Sequence, residues 1–168
     1  MNASVSSAAR EVLAIEALRR SGFLRLQVSG ASMLPSLWPG DVCQIASCLL
    51  NNVARGEIVL AARDGRLFLH RLADRMEGGR FLLRGDSLPG PDPIYSREAF
   101  LGRLVSVARD GQAIAIPAPL SFWQRVLGQV CCYCGPARRL ALRLHRRPAA
   151  GEVPTELSHP VAEAGSMR

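Results

Sequence analysis

The sequence predicts a mainly β chain: a coiled, antiparallel domain carrying short helices at its N- and C-terminal ends. Three observations carry this expectation. Short runs of alternating apolar residues recur between residues 23 and 117, turn residues separate them at regular spacing, and helical spacings replace the alternation at both ends.

Ser7 to Arg20 reads as a helix, with Leu13, Ala17 and Leu18 on its apolar stripe and Ser21-Gly22 as its stop. Phe23 to Ser29 alternates Phe23, Arg25 and Gln27 against Leu24, Leu26 and Val28, which makes a strand. Leu37 to Asp41 is turn chemistry around Pro39-Gly40, and Val42 to Ala46 is a second short strand. Glu57 to Ala62 and Arg66 to Ala73 form a hairpin about Asp64-Gly65. Arg80 to Arg84 follows a glycine turn, and Gly85 to Pro93 is a loop rich in Gly, Pro and Asp. Leu101 to Arg109 and Gln112 to Ile116 close the β region as a hairpin about Asp110-Gly111. Beyond it, Ser121 to Cys134 and Ala137 to Arg147 have helical spacing, and 148–168 has the composition of a disordered tail. The expected organisation is therefore a helix at 1–22, a β domain at 23–117, a cationic helical segment at 118–147 and the tail.

At 168 residues the chain can bury a substantial core, and its 48% hydrophobic and 21% charged residues are ordinary for a globular protein. The formal charge is +7, and all 21 basic residues are arginine; lysine is absent. Such a charge attracts nucleic acid, anionic lipid or acidic protein without choosing among them. With 5% aromatic residues and no reader motif, nucleic acid is not an expected partner. An anionic membrane surface is the expected contact for Arg138, Arg139, Arg143, Arg146 and Arg147. The five cysteines are an odd number, three of them crowded at Cys131, Cys132 and Cys134, with no secretory signal ahead. That pattern points to a reducing, cytoplasmic setting. No run reaches the roughly 18 apolar residues of a membrane span. The C-x-x-C at Cys131 to Cys134 has no partner pair at zinc-site spacing, so neither a metal nor any other cofactor is expected.

One segment carries chemistry. Ser32, in Val28-Ser29-Gly30-Ala31-Ser32-Met33-Leu34-Pro35, follows an apolar strand in a glycine-containing loop that can present its hydroxyl outward. A serine hydroxyl needs a neighbouring base to become a nucleophile, and donors for the oxyanion that follows. Without lysine, an imidazole is the candidate base. His70 is the histidine inside the β domain, on a strand where Phe68, His70 and Leu72 share a face; His145 and His159 lie beyond it. Asp86 and Asp92, in the loop after the next strand, are both candidates for the acid that orients an imidazole.

Gly30-Ala31-Ser32-Met33-Leu34-Pro35, then a strand histidine, then Gly85-Asp86 and Asp92 resembles the signal peptidase I and SOS-repressor (LexA-like) superfamily of serine peptidases over about half the chain. The resemblance implies a coiled β catalytic domain with Ser32 as nucleophile and His70 as general base. His70 stands where most branches carry lysine and the endoplasmic-reticulum signal peptidases carry histidine. It implies Asp92 or Asp86 as the acid, the amides of Ala31 and Ser32 as oxyanion donors, and Met33 and Pro35 as substrate contacts. The sequence departs from the pattern at Ser87, where asparagine is usual, and shows neither a membrane anchor nor a DNA-binding domain ahead of Ser32. The expected activity is endopeptidase hydrolysis. The alternatives are an inactive peptide-binding or maturation partner, and a processing enzyme held at the membrane periphery through residues 113–147.

Overall fold

A computed structural model describes residues 2–119 and residue 126. The expected helices at 121–134 and 137–147, the tail, the cysteines at 131–134 and the five arginines proposed to face lipid lie outside these described residues, apart from position 126.

Among the described residues the chain is mainly antiparallel β with one α-helix. Helix α1 (Asn2–Ser21) precedes β1 (Phe23–Gln27), β2 (Val42–Ala46), β3 (Ile58–Arg63), β4 (Arg66–Arg75), β5 (Phe81–Arg84), β6 (Phe100–Arg109) and β7 (Gln112–Ile114). The strands run in the order β1-β2-β6-β3-β4-β5, with β7 added to β6. The ten-residue β6 organises this order: its first residues pair with β3, and Arg103 onward pairs with β2. A bulge in each pairing lets one strand serve two neighbours as the sheet coils.

The hairpin turns are local decisions. Asp64 and Gly65 have φ of 53° and 71°, and Asp110 and Gly111 of 50° and 79°. Two successive positive φ values give the turn whose twist matches paired strands, and Asp-Gly adopts it at low cost.

The sheet separates two apolar clusters. Along β3, Ile58 and Leu60 enter the first, while Val59 and Ala61 enter the second. That alternation explains why β3 reads as a continuous apolar run: both its faces are covered. Cys43, Ile45, Leu104 and Val107 complete the first cluster, and Leu72, Phe81, Leu83 and Tyr95 the second.

Helix α1 is part of the domain rather than a separate segment. Leu18 enters the first cluster, and Ala14 one turn earlier is also buried. Leu18 of the expected stripe is buried, but Leu13 is 68% exposed and Ala14 takes its place toward the sheet. No helix among the described residues is long and apolar enough to cross a membrane.

Close strand packing makes one prediction. A Cβ at Gly102 on β6 would collide with the Ala46 carbonyl oxygen of β2 and stand 3.0 Å from the Ile45 side chain. Gly102→Ala should therefore lower stability by about 1–3 kcal/mol, measured by urea denaturation.

Candidate active site

The loop between β1 and β2 is clamped before it reaches the chemistry. The Val28 amide donates to the Asp41 carbonyl (2.8 Å) and the Gly40 amide to the Val28 carbonyl (2.8 Å), which closes its base. The buried Asp41 carboxylate accepts from the Trp38 amide and from Arg109 Nε and Nη2, all at 2.8–2.9 Å. Leu34 and Leu37 turn inward into full burial, and the Leu37 amide donates to the Met33 carbonyl at 3.0 Å. Ser32 sits at the start of this turn.

His70 comes from the middle of β4 and is 4% exposed. Its Nε2 lies 2.8 Å from Ser32 Oγ, and its Nδ1 lies 2.6 Å from Asp92 Oδ2. Asp92 is itself held: its amide donates to the Leu83 carbonyl at 2.8 Å, and the Tyr95 hydroxyl donates to its Oδ2 at 3.1 Å. Burial, reinforced by the neighbouring Asp92 carboxylate, pushes the Tyr95 phenol well above its ordinary value. Ser32, His70 and Asp92 thus stand in one hydrogen-bonded line.

The two candidate aspartates have different partners. Asp86 does not reach His70; it accepts from Arg71 Nε at 2.8 and 3.1 Å and from the Ser36 hydroxyl. Alternation explains the division, because His70 and Arg71 are consecutive on a strand and point to opposite faces. β5 ends with Arg84 opposite Arg71, so the loop after it leaves the sheet beside both residues. Asp86 serves one face and Asp92 the other. The alternative left open by the residue types is resolved in favour of Asp92 as the partner of His70, and Asp86 is corrected to a structural ion pair.

The Gly-Asp-Ser segment supports the serine loop from below. The Ser87 amide donates to the Ser32 carbonyl at 3.0 Å, and the Ser87 hydroxyl to the Ala31 carbonyl at 2.9 Å. A Cβ on Gly85 would come within 2.7 Å of that same Ser32 carbonyl, so only glycine lets the two loops approach this closely. Among the described residues no acceptor takes the Ser32 amide, one of the two expected oxyanion donors.

Ser32 and His70 open into a groove of about 980 Å³ between β1 and the first half of β4. Leu24, Leu26 and Val28 form one wall, Leu67 to Leu69 the other, and Leu13, Ala14 and Ala17 of α1 cover part of the gap. Met33 is among the residues lining it. Pro35 does not line it: the residue follows a cis peptide bond, and its carbonyl accepts the Trp38 indole N–H at 2.9 Å. The expected contact at Pro35 thus falls outside the groove lining.

Sequence reasoning missed Tyr95, Arg71 and Arg109; a buried arginine has no local signature, and Tyr95 reads as an ordinary loop aromatic. Burial, with the Asp41 carboxylate adding to it, raises the Cys43 thiol to about 12, which leaves it a core residue rather than a nucleophile. Among the described residues no group of three or more His, Cys, Asp or Glu side chains is arranged to hold a metal ion. The sequence matches no protein-family model and no curated protein.

The two aspartates should respond differently to substitution. Asp86→Ala leaves the buried Arg71 charge without its counterion, and is expected to cost about 3–5 kcal/mol in chemical denaturation. Asp92→Asn should change stability by no more than about 1.5 kcal/mol. If the line is catalytic, it should slow hydrolysis about a thousandfold or more by disturbing the imidazole tautomer.

Proposed function

We propose that this chain is a serine endopeptidase, with Ser32 as nucleophile, His70 as general base and Asp92 as the acid that orients it. The observation carrying this reading is the continuous line of short contacts, 2.8 Å from Ser32 Oγ to His70 Nε2 and 2.6 Å from His70 Nδ1 to Asp92 Oδ2. The resemblance of the Ser32, His70 and Gly85-Asp86 boxes to the signal peptidase and SOS-repressor superfamily supports it, including a catalytic domain of that superfamily's type.

Asp92 accepts the Nδ1 proton, so the lone pair on Nε2 faces Ser32. As Oγ attacks a peptide carbonyl carbon, its proton passes to Nε2, and the carbonyl electrons move to the oxygen. The amides of Ala31 and Ser32 are the proposed donors to that oxyanion. Collapse of the intermediate breaks the C–N bond, and the imidazolium returns its proton to the leaving amine, leaving an ester on Ser32. Water, deprotonated by His70, hydrolyses the ester and restores the serine.

The groove favours an extended peptide. Among the described residues β1 pairs only with β2, and residues 66–70 of β4 pair with β3 but not with β5. Both walls therefore offer unpaired backbone groups to a strand entering between them, while apolar side chains above and below take its residues. The bond brought to Ser32 is cut.

Incubation with a degenerate peptide library, read by mass spectrometry for new termini, tests the reading. The parent should generate termini that Ser32→Ala and His70→Asn reduce at least about a thousandfold in rate. A parent that yields none, or variants that yield the same termini at the parental rate, would overturn it.

A further inference from the structure

We propose that Tyr95 is a positioning residue for His70, its hydroxyl fixing Asp92 and drawing charge from the one carboxylate oxygen that His70 uses. The inference rests on the roles of Ser32, His70 and Asp92 given above. It concerns what sets the strength of the base.

The geometry is specific. Tyr95 Oη and His70 Nδ1 meet the same atom, Asp92 Oδ2, at 3.1 and 2.6 Å. Two donors on one oxygen share its charge, so each weakens the hold of the carboxylate on the other. The second donor also removes a freedom, because an Asp92 bonded from two sides cannot rotate away from the imidazole.

Tyr95 has little choice about where its hydroxyl points. The side chain is almost fully buried, stacked on Phe81 with centroids 5.3 Å apart and planes within 15°. Its backbone exchanges both hydrogen bonds with Phe81, at 2.9 and 3.1 Å. The Arg63 guanidinium lies 4.6 Å from its ring centroid, and Arg63 Nη1 donates to the Pro93 carbonyl at 3.4 Å. Ring, backbone and flanking loop are thus held independently of the Asp92 contact. The charged and titratable groups around the pair are His70 from β4, Arg63 from β3 and Asp64 from the following turn. Arg63 approaches Asp64 at 3.7 Å, and the exposed Asp64 carboxylate is directed at solvent. Because burial and Asp92 both raise the phenol, Tyr95 remains a proton donor throughout the range in which a histidine titrates.

The consequence has a sign. A carboxylate devoted to His70 holds the imidazolium more strongly than one shared with Tyr95. Removing the hydroxyl should make His70 more basic.

Tyr95→Phe deletes only the hydroxyl and keeps the ring on Phe81 and under Arg63. The readout is the His70 ring-proton titration by NMR, assigned against His70→Asn, together with the acid limb of kcat/KM. Tyr95→Phe should raise both apparent pKa values together by about 0.5–1 unit. A role in packing alone would move neither. Labelling tyrosine as 3-fluorotyrosine, a stronger donor, leaves the fold intact and should shift His70 the opposite way, which keeps the test open if Tyr95→Phe does not fold. In an Asp92→Asn background the hydroxyl should no longer matter to His70. A His70 titration that is unmoved, or moved down by Tyr95→Phe, overturns the proposal. A titration that rises in a protein whose parent cleaves no peptide sinks the peptidase reading and leaves the control of His70 by Tyr95 standing.

Discussion

A guanidinium buried at Arg71 is tolerable only because every one of its donors has an acceptor. Nε takes both oxygens of Asp86, Nη1 the carbonyls of Gly56 and Pro117, and Nη2 the Ser36 hydroxyl and the Ala118 carbonyl. These acceptors come from four separate stretches of chain. The serine loop, the turn before β3, the loop after β5 and the segment leaving β7 are all tied to one residue of β4. Burial of such a pair carries a desolvation cost that its Coulombic gain need not exceed. Its value here is geometric: none of the four stretches can move without leaving a buried charge unsatisfied.

That constraint reaches the candidate active site through a single step of the strand. Arg71 anchors Ser36 and Asp86 on one face, and His70 presents its imidazole on the other. Asp86 is followed by Ser87, whose hydroxyl donates to the Ala31 carbonyl and whose amide donates to the Ser32 carbonyl. The position of Ser32 relative to His70 is therefore controlled twice, from its own loop by Asp41 and Arg109, and from the opposite side by the Gly85-Asp86-Ser87 shelf. A hydroxyl held at 2.8 Å from an imidazole on a rigid strand is a preorganised arrangement, with little reorganisation needed before proton transfer.

What was legible in the sequence follows the range of the forces involved. The limits of β2 and both Asp-Gly hairpins are decided by neighbours in the chain, and the residues announce them. The alternation of Phe68, His70 and Leu72 correctly gave one face of β4, since period two is a backbone property. The apolar stripe of α1 holds at Leu18 but fails at Leu13, where Ala14 is buried instead, because rotation of a helix on a sheet is set by what it packs against. Asp86 and Asp92 were indistinguishable as residue types, and only the register of β5 against β4 assigns them to opposite faces. Tyr95 had no signal at all. Its importance comes from a bridge to Phe81 and from a carboxylate three residues away, and both are products of how the loop folds back.

The absence of lysine gives these contacts a common reason. An amine base has one nitrogen, and burial alone can keep it neutral and aimed at a serine. An imidazole has two, and only one tautomer points a lone pair at the hydroxyl. Something must hold the proton on the far nitrogen, and Asp92 is placed to do so. A carboxylate in that position introduces a second difficulty, because its charge favours the protonated ring that cannot act as a base. A second donor on the same oxygen moderates that charge without surrendering the orientation. In the proposed reading a histidine base thus brings with it an acid, and a buried acid brings a donor to temper it; Ser32, His70, Asp92 and Tyr95 stand in hydrogen-bonded contact in that order.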